Sequence, residues 1–195
     1  LTVKGPLRGG RCQVDGSVSS QILTGLLMAL PLVKEDSEIN VLNLKSKPYI
    51  DMTLQVLDKF GIKVENENYS LFRISGSQKY QGTTFEVESD WSGGAFLLVA
   101  GAINGDINVQ GLRPDSRQSD KAESAGARMN IKENSIRISK SELKAFKFDA
   151  TESPDLFPPL VVLAAYCRGV SVIRGVSRLI HKESNRAAAL REEFG

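Results

Sequence analysis

The stretch Val14-Asp15-Gly16-Ser17-Val18-Ser19-Ser20-Gln21 decides how this chain is read, because its form recurs twice further along. It follows a β-like run at residues 11–14 and opens an apolar segment at residues 22–30. The spacing predicts a strand feeding a helix over residues 17–30, with Ser17 as its cap and Gly16 relaxing the turn. Such a junction aims uncapped N–H groups and the positive end of the helix dipole into open space. Ser19, Ser20 and Gln21 add neutral hydrogen-bond donors at that point. Plain capping uses the same residue types, so the stretch alone sets a turn without setting its ligand.

Outward from this turn, the pattern predicts a strand at 38–44 and a helix at 48–60. Pro48 lies in the helix's first turn and Gly61 just past its end. The helix at 17–30 places Ile22, Leu23, Leu26, Leu27 and Leu30 on one face; the second does so with Ile50, Leu54, Leu57 and Phe60. Short strands at 63–67 and 71–75 complete a βαβαββ unit. A second copy runs through a strand at 84–88, a polar turn at 89–94, an apolar helix at 95–103 and a strand at 106–111. It closes with a hairpin at 128–132 and 135–139. A third copy has a strand at 146–150, a turn carrying Ser153-Pro154-Asp155, an apolar helix to Cys167, a strand at 170–175 and a helix from about Lys182. Repetition of one order of elements predicts an α/β fold with helices packed on sheets. Residues 116–126 are too short and too poor in apolar side chains for the helix that their place in the repeat demands. A degenerate unit and missing residues both account for this.

With 195 residues, 41% hydrophobic and 25% charged, the chain has the composition of a folded domain or two. A net charge of +2 argues against a dedicated nucleic-acid or membrane-surface protein. No apolar run reaches the roughly 20 residues of a membrane span. Cys12 and Cys167 give neither metal spacing nor a disulfide framework, which makes the cytoplasm the expected compartment. His181 is the single histidine, so histidine triads and multi-histidine metal sites are excluded. The chain starts at Leu1 rather than Met and its third copy stops at Gly195 before a closing hairpin, the expected look of a piece of a longer protein.

The sharpest local cluster is His181-Lys182-Glu183-Ser184-Asn185-Arg186. Lys182 and Arg186 share a helix face four residues apart, where like charges repel. They also fall in the first turns, where the dipole disfavours cations. Either an anion belongs between them, or Glu183 and Arg186 pair on a solvated face. Asp155 sits at a helix start, where an acidic residue is expected for dipole reasons alone. Pro158 and Pro159 could hold it on an exposed loop. Ser46, Lys47 and Tyr49 flank the start of the second helix.

Taken in order, Asp15-Gly16-Ser17-Val18-Ser19-Ser20-Gln21, Ser46-Lys47-Pro48-Tyr49-Ile50-Asp51, the Asp155 turn and Lys182-Glu183-Ser184-Asn185-Arg186 resemble the 5-enolpyruvylshikimate-3-phosphate (EPSP) synthase family, the target of glyphosate. The resemblance covers essentially the whole chain. It implies parts of two domains built from βαβαββ units: residues 1–88 as the last unit of the first, and residues 89–195 as the first and most of the second unit of the other. A hinge would fall near residues 88–91. It implies transfer of the enolpyruvyl group of phosphoenolpyruvate to the 5-hydroxyl of shikimate 3-phosphate in the cleft between domains, with release of phosphate and with no metal or organic cofactor. Carried over by residue, Ser19, Ser20 and Ser46 bind the phosphate of shikimate 3-phosphate and Tyr49 lies against its ring. Gln21 touches both substrates. Asp155 binds the hydroxyls and accepts a proton, Lys182 holds the 5-hydroxyl region, Glu183 shuttles a proton at the phosphoenolpyruvate methylene, and Arg186 binds the phosphoenolpyruvate anion. The partners implied are these two small molecules, with no nucleic acid and no membrane, and the full-length enzyme is expected as a monomer.

Asn185 stands where the family usually has Asp, and Arg178 where some members have Asn, which leaves the role of Arg178 open. The alternatives are the sister transferase acting on UDP-N-acetylglucosamine, from which Ser19-Ser20-Gln21 and the Lys182–Arg186 motif point away, and a non-catalytic module binding phosphate or RNA. With charged groups missing on both sides, the 195-residue piece is expected to be catalytically silent on its own, and its unpaired sheet edge to favour self-association.

Overall fold

The structure, a computed structural model, describes residues 2, 4–17, 19–112, 127–180 and 184–195. It divides into two compact units, Leu1–Glu86 and Val87–Gly195.

The first unit runs β1 (Gly10–Asp15), α1 (Gln21–Ala29), β2 (Ser37–Leu42), α2 (Lys47–Lys59), β3 (Glu65–Glu67) and β4 (Leu71–Ile74), the expected βαβαββ order. Its sheet has the order β1-β2-β4-β3. β1 and β2 are parallel, in register from Gly10 opposite Ser37 to Asp15 opposite Leu42, and β4 runs antiparallel to both β2 and β3. Ser37, Ile39 and Val41 alternate inward along β2, the period-two pattern of a strand buried on one face. Against that face pack Leu23 and Leu27 of α1, Ile50 and Leu57 of α2, and Phe72 of β4.

Two sequence expectations change here. α1 begins at Gln21, not at residue 17; ahead of it the Asp15 carboxylate accepts the Ser17 N–H at 2.9 Å. Ile22, placed on the core face by periodicity, is 64% exposed. α2 ends as expected: Gly61 has φ +79°, its N–H donates to Asp58 O, and that of Ile62 donates to Leu57 O.

The second unit contains α3 (Trp91–Asn104), β5 (Asp106–Gln110), β6 (Arg128–Lys132), β7 (Ser135–Ser139), β8 (Lys147–Asp149), α4 (Phe157–Ala165), β9 (Val172–Arg174) and α5 (Arg186–Phe194). β5, β7 and β6 form one antiparallel sheet in that order, while β8 and β9 pair in parallel. Its main core gathers Leu98, Leu112, Ile136, Ile138, Phe146 and Leu160. The strand expected at 84–88 is not formed. Its alternation of Phe85 and Val87 with glutamates is real, but Phe85 stands 6.0 Å from the Phe60 ring and Val87 is 81% exposed. α3 starts at Trp91 rather than Ala95, since the Asp90 carboxylate accepts the N–H groups of Ser92 and Gly93 and draws the polar turn into the helix. α5 starts at Arg186 rather than Lys182, capped by Asn185 Oδ1 on the Ala188 N–H at 3.1 Å. The segment 116–126, whose helix was in doubt, lies outside the described residues.

α3 lies on its sheet at Gly101, where an added Cβ would stand 2.5 Å from Ile138 Cγ2 and 3.3 Å from Ile107 Cβ. Both neighbours are β-branched and rigid at χ1, so they yield little. Gly101→Val is therefore expected to destabilise the chain by about 1–3 kcal/mol through overpacking, read as a lower urea midpoint at an unchanged slope.

Candidate functional site

In the first unit, the parallel strands β1 and β2 end at one edge, and the turns after them are tied together. Gly16 N–H donates to Leu42 O at 2.8 Å and Lys45 N–H donates to Gly16 O at 3.2 Å. The approach is close enough that a Cβ on Gly16 would stand 2.7 Å from Leu44 Cδ1. α1 and α2 therefore start beside each other, and Thr24 and Thr53 share a hydroxyl–hydroxyl bond of 3.2 Å between them. Ser20 and Ser46 are the residues at the two helix entries, both buried, and neither forms a side-chain cap. Ser19 Oγ accepts the Gln21 N–H at 3.1 Å. Ser46 is left-handed at φ 58° and ψ 41°, a conformation that costs a non-glycine residue roughly 1–2 kcal/mol. Strain of this kind persists where the surroundings over-determine it. Tyr49 is half-buried one turn on, and its N–H donates to Ser46 O. Ser19, Ser20, Gln21, Ser46 and Tyr49 thus belong to one edge.

The second unit builds a similar edge from β8 and β9. Ala150 N–H donates to Arg174 O at 3.0 Å, and a Cβ on Gly175 would stand 2.7 Å from Thr151 N. After β8 the chain enters a 3-10 turn, Pro154–Leu156, that carries Asp155 into α4. After β9 a second such turn, Val176–Leu179, carries the buried Arg178. Arg186, first residue of α5, donates from Nη1 to Asp155 Oδ1 at 2.6 Å, with both side chains close to 30% exposed. These two expected site residues, 31 positions apart in sequence, are in direct contact. His181, Lys182 and Glu183 lie outside the described residues, and with them the paired-cation and Glu183 readings.

One device was missed in the sequence. Asp15 Oδ1 accepts the Ser17 N–H, Asp90 Oδ1 that of Ser92, and Asp149 Oδ1 that of Thr151, at 2.9, 3.0 and 3.0 Å. An Asp-x-Ser/Thr triplet thus stands at three chain entries to helical turns, a spacing visible in the sequence. Tyr69, in the turn between β3 and β4, gives no local sequence signal of its role. Its hydroxyl donates to Asp51 Oδ1 at 2.7 Å and its ring lies under the Lys47 ammonium, 5.1 Å away.

A cleft of about 420 Å³ between Ile103, Asn104, Lys140, Glu142 and Arg168 lies at the C-terminal ends of α3 and α4, and none of the expected site residues lines it. Among the described residues no group of His, Cys, Asp and Glu could hold a metal ion, and no helix is long and apolar enough to cross a membrane.

A family model described as EPSP synthase (3-phosphoshikimate 1-carboxyvinyltransferase) matches residues 1–195. A 3-phosphoshikimate 1-carboxyvinyltransferase of Clostridium acetobutylicum is 42% identical over 201 residues, covering 100% of this chain and 46% of that protein. One of Actinobacillus succinogenes is 41% identical over 195 residues, covering 96% and 45%. Among solved structures, EPSP synthase of Acinetobacter baumannii matches with a TM-score of 0.69 at 25% identity, over 95% of this chain and 44% of that one. The enolpyruvyl transferase NikO of Streptomyces tendae shares the fold, with a TM-score of 0.67 at 18% identity over 87% of this chain and 45% of that one. The chain thus spans about half the length of the relatives it matches.

The Asp15 turn has a pH signature. The Ser17 backbone N–H first, then the Ser17 and Asn43 side chains, hold the Asp15 carboxyl below its ordinary value of 3.8. A depressed folded-state value means that the stabilisation is present above the ordinary value and is lost as pH falls through the depressed one. In an acid titration followed by NMR, the Ser17 amide is expected to move with a midpoint below the ordinary value of 3.8.

Proposed function

The chain belongs to the EPSP synthase family, and from that premise we propose that it is part of a 3-phosphoshikimate 1-carboxyvinyltransferase. The reaction is transfer of the enolpyruvyl group of phosphoenolpyruvate to the 5-hydroxyl of shikimate 3-phosphate, with release of phosphate. One observation carries this reading: two adjacent helix entries at a parallel-strand edge, lined by the hydroxyls of Ser19, Ser20 and Ser46, with neither Ser20 nor Ser46 used as a side-chain cap. Helix N-termini of this kind suit a phosphate, and Ser19, Ser20 and Ser46 are the residues we assign to it. Gln21 and Tyr49 complete the substrate contacts of this edge.

In the second unit, Asp155 takes the proton of the 5-hydroxyl as the hydroxyl oxygen bonds to the phosphate-bearing carbon of phosphoenolpyruvate. The methylene carbon gains a proton through Glu183, with Lys182 beside the 5-hydroxyl. Glu183 then takes a proton back from the resulting methyl group as phosphate leaves, which forms the C=C bond of the enol ether product. Arg186 holds the phosphoenolpyruvate anion through the addition. This is acid–base and electrostatic catalysis by side chains, and the proposal includes no metal or organic cofactor. We assign residues 1–88 to the last unit of one domain and residues 89–195 to the first and most of the second unit of the other. The intact enzyme is read as a cytoplasmic monomer acting on small molecules, without nucleic acid or membrane as partner. Family membership favours this reading over the UDP-N-acetylglucosamine and RNA-binding alternatives.

Two variants of the intact transferase test it. Ser20→Ala removes a hydroxyl from a charged ligand, a loss of roughly 1.5–3 kcal/mol. It is expected to raise KM for shikimate 3-phosphate more than it lowers kcat, and an unchanged KM takes Ser20 out of the site. Asp155→Asn keeps shape but removes the base; turnover is expected to drop at least about a hundredfold in a protein that still folds and binds shikimate 3-phosphate. Retained turnover with lowered thermal stability would instead make Asp155 a helix-start residue.

A further inference from the structure

The hairpin between β3 and β4 turns through Glu67-Asn68-Tyr69-Ser70, closed by Ser70 N–H donating to Glu67 O at 3.0 Å. Both central residues are left-handed, with φ 51° at Asn68 and 59° at Tyr69. Consecutive positive φ values favour Asn followed by Gly. Asn68 obeys that preference and Tyr69 breaks it. A bulky aromatic in a glycine slot implies that its side chain is needed for something other than the turn.

That side chain reaches α2. Lys47 and Asp51 are one turn apart on one helix face, and the Tyr69 side chain contacts both. Its hydroxyl donates to Asp51 Oδ1 at 2.7 Å, and its ring lies 5.1 Å from the Lys47 ammonium. Asn66 Oδ1 in turn accepts the Tyr69 N–H at 2.8 Å, which fixes the turn from below. Ser46, strained and buried, immediately precedes Lys47, and Tyr49 lies between the two residues that Tyr69 grips.

We propose that Tyr69 is a positioning residue that clamps the first turn of α2, and through it sets Ser46 and Tyr49 for shikimate 3-phosphate. This rests on the substrate assignment above. The clamp is assigned to binding, since all its residues belong to the unit that holds the assigned shikimate 3-phosphate contacts.

The test is steady-state kinetics and thermal unfolding of the intact transferase. Tyr69→Gly relieves the left-handed backbone and removes the clamp. KM for shikimate 3-phosphate is expected to rise about tenfold, with kcat within about twofold and thermal stability largely kept. Tyr69→Phe keeps the ring under Lys47 and loses only the hydroxyl; a rise of about threefold is expected. Asp51→Asn retains an acceptor for that hydroxyl and is expected to keep KM within about twofold. An unchanged KM in both Tyr69 variants, or a loss of thermal stability with no change in KM, overturns the proposal. Ser46→Ala separates the two levels of inference. If it raises KM while the Tyr69 variants do not, the clamp alone is wrong; if it leaves KM unchanged, the phosphate assignment falls and takes the clamp with it.

Discussion

The parallel pairing of β1 with β2 is the constraint from which the first unit follows. Parallel strands cannot be joined by a tight turn, so α1 must cross over between them. Both chains then leave the sheet at the same edge, and two helices must start there. The distance between those starts is set by one backbone contact, Gly16 against Leu44, with hydrogen bonds on either side of it. β8 and β9 repeat the arrangement with the glycine on the other strand: Gly175, after β9, lies against Thr151, after β8. A requirement for one residue without a Cβ is shared by the two edges, while its position is not. The requirement therefore belongs to the close approach of the turns rather than to a particular place in the repeat.

How each helix is capped separates structural entries from candidate binding entries. Asp90 closes α3 and Asn185 closes α5, each spending a side-chain oxygen on first-turn N–H groups. Ser20 and Ser46, at the entries of α1 and α2, make no such bond, although Ser19 Oγ accepts the Gln21 N–H. An N-cap residue that makes no side-chain bond costs stability, about 1 kcal/mol relative to a good cap, and here two such residues stand side by side, Ser46 in a left-handed conformation. Local rules broken together are expected where a ligand supplies what the chain does not. Asn185 fits the same logic from the other side. It stands where the family usually has Asp, yet Asn caps about as well as Asp, so the exchange leaves the start of α5 intact.

The order of elements was legible because periodicity and turn residues act locally. The β6–β7 hairpin and the span of β5 emerge nearly residue for residue from alternation and turn chemistry. Helix starts were less legible, because which residue caps a first turn depends on how the preceding loop is held. The Asp15 carboxylate holds the Ser17 N–H ahead of an α1 that begins at Gln21, and Asp90 caps Ser92 and Gly93, so that Trp91–Gly94 belong to α3. The strand expected at residues 84–88 failed for a different reason: alternation describes one chain, and a strand also needs a neighbour. Of the site, the serines and Asp155 stood out as residue types at turns. The contact between Asp155 and Arg186 and the grip of Tyr69 on α2 depend on segments distant in sequence, which no local pattern records.

The Asp155–Arg186 pair shows why magnitude matters at such a site. Each partner is close to 30% exposed, so water still screens the charges, and the pair falls nearer to a surface salt bridge, worth about 0–1 kcal/mol, than to a buried one. Breaking a buried pair by removing one partner would cost about 3–5 kcal/mol, because a charge is left uncompensated. Under the proposed function the two residues must part company: Arg186 turns to the phosphoenolpyruvate anion and Asp155 to the 5-hydroxyl. A half-exposed pair makes that exchange inexpensive, since an incoming anion replaces the carboxylate as the guanidinium's partner and the carboxylate gains a hydroxyl donor. Deeper burial would hold the ligand-free geometry more firmly and would oppose binding by the same amount. Under the proposed function, the partial exposure of this pair suits it to a site in which both charges are needed elsewhere once the substrates arrive.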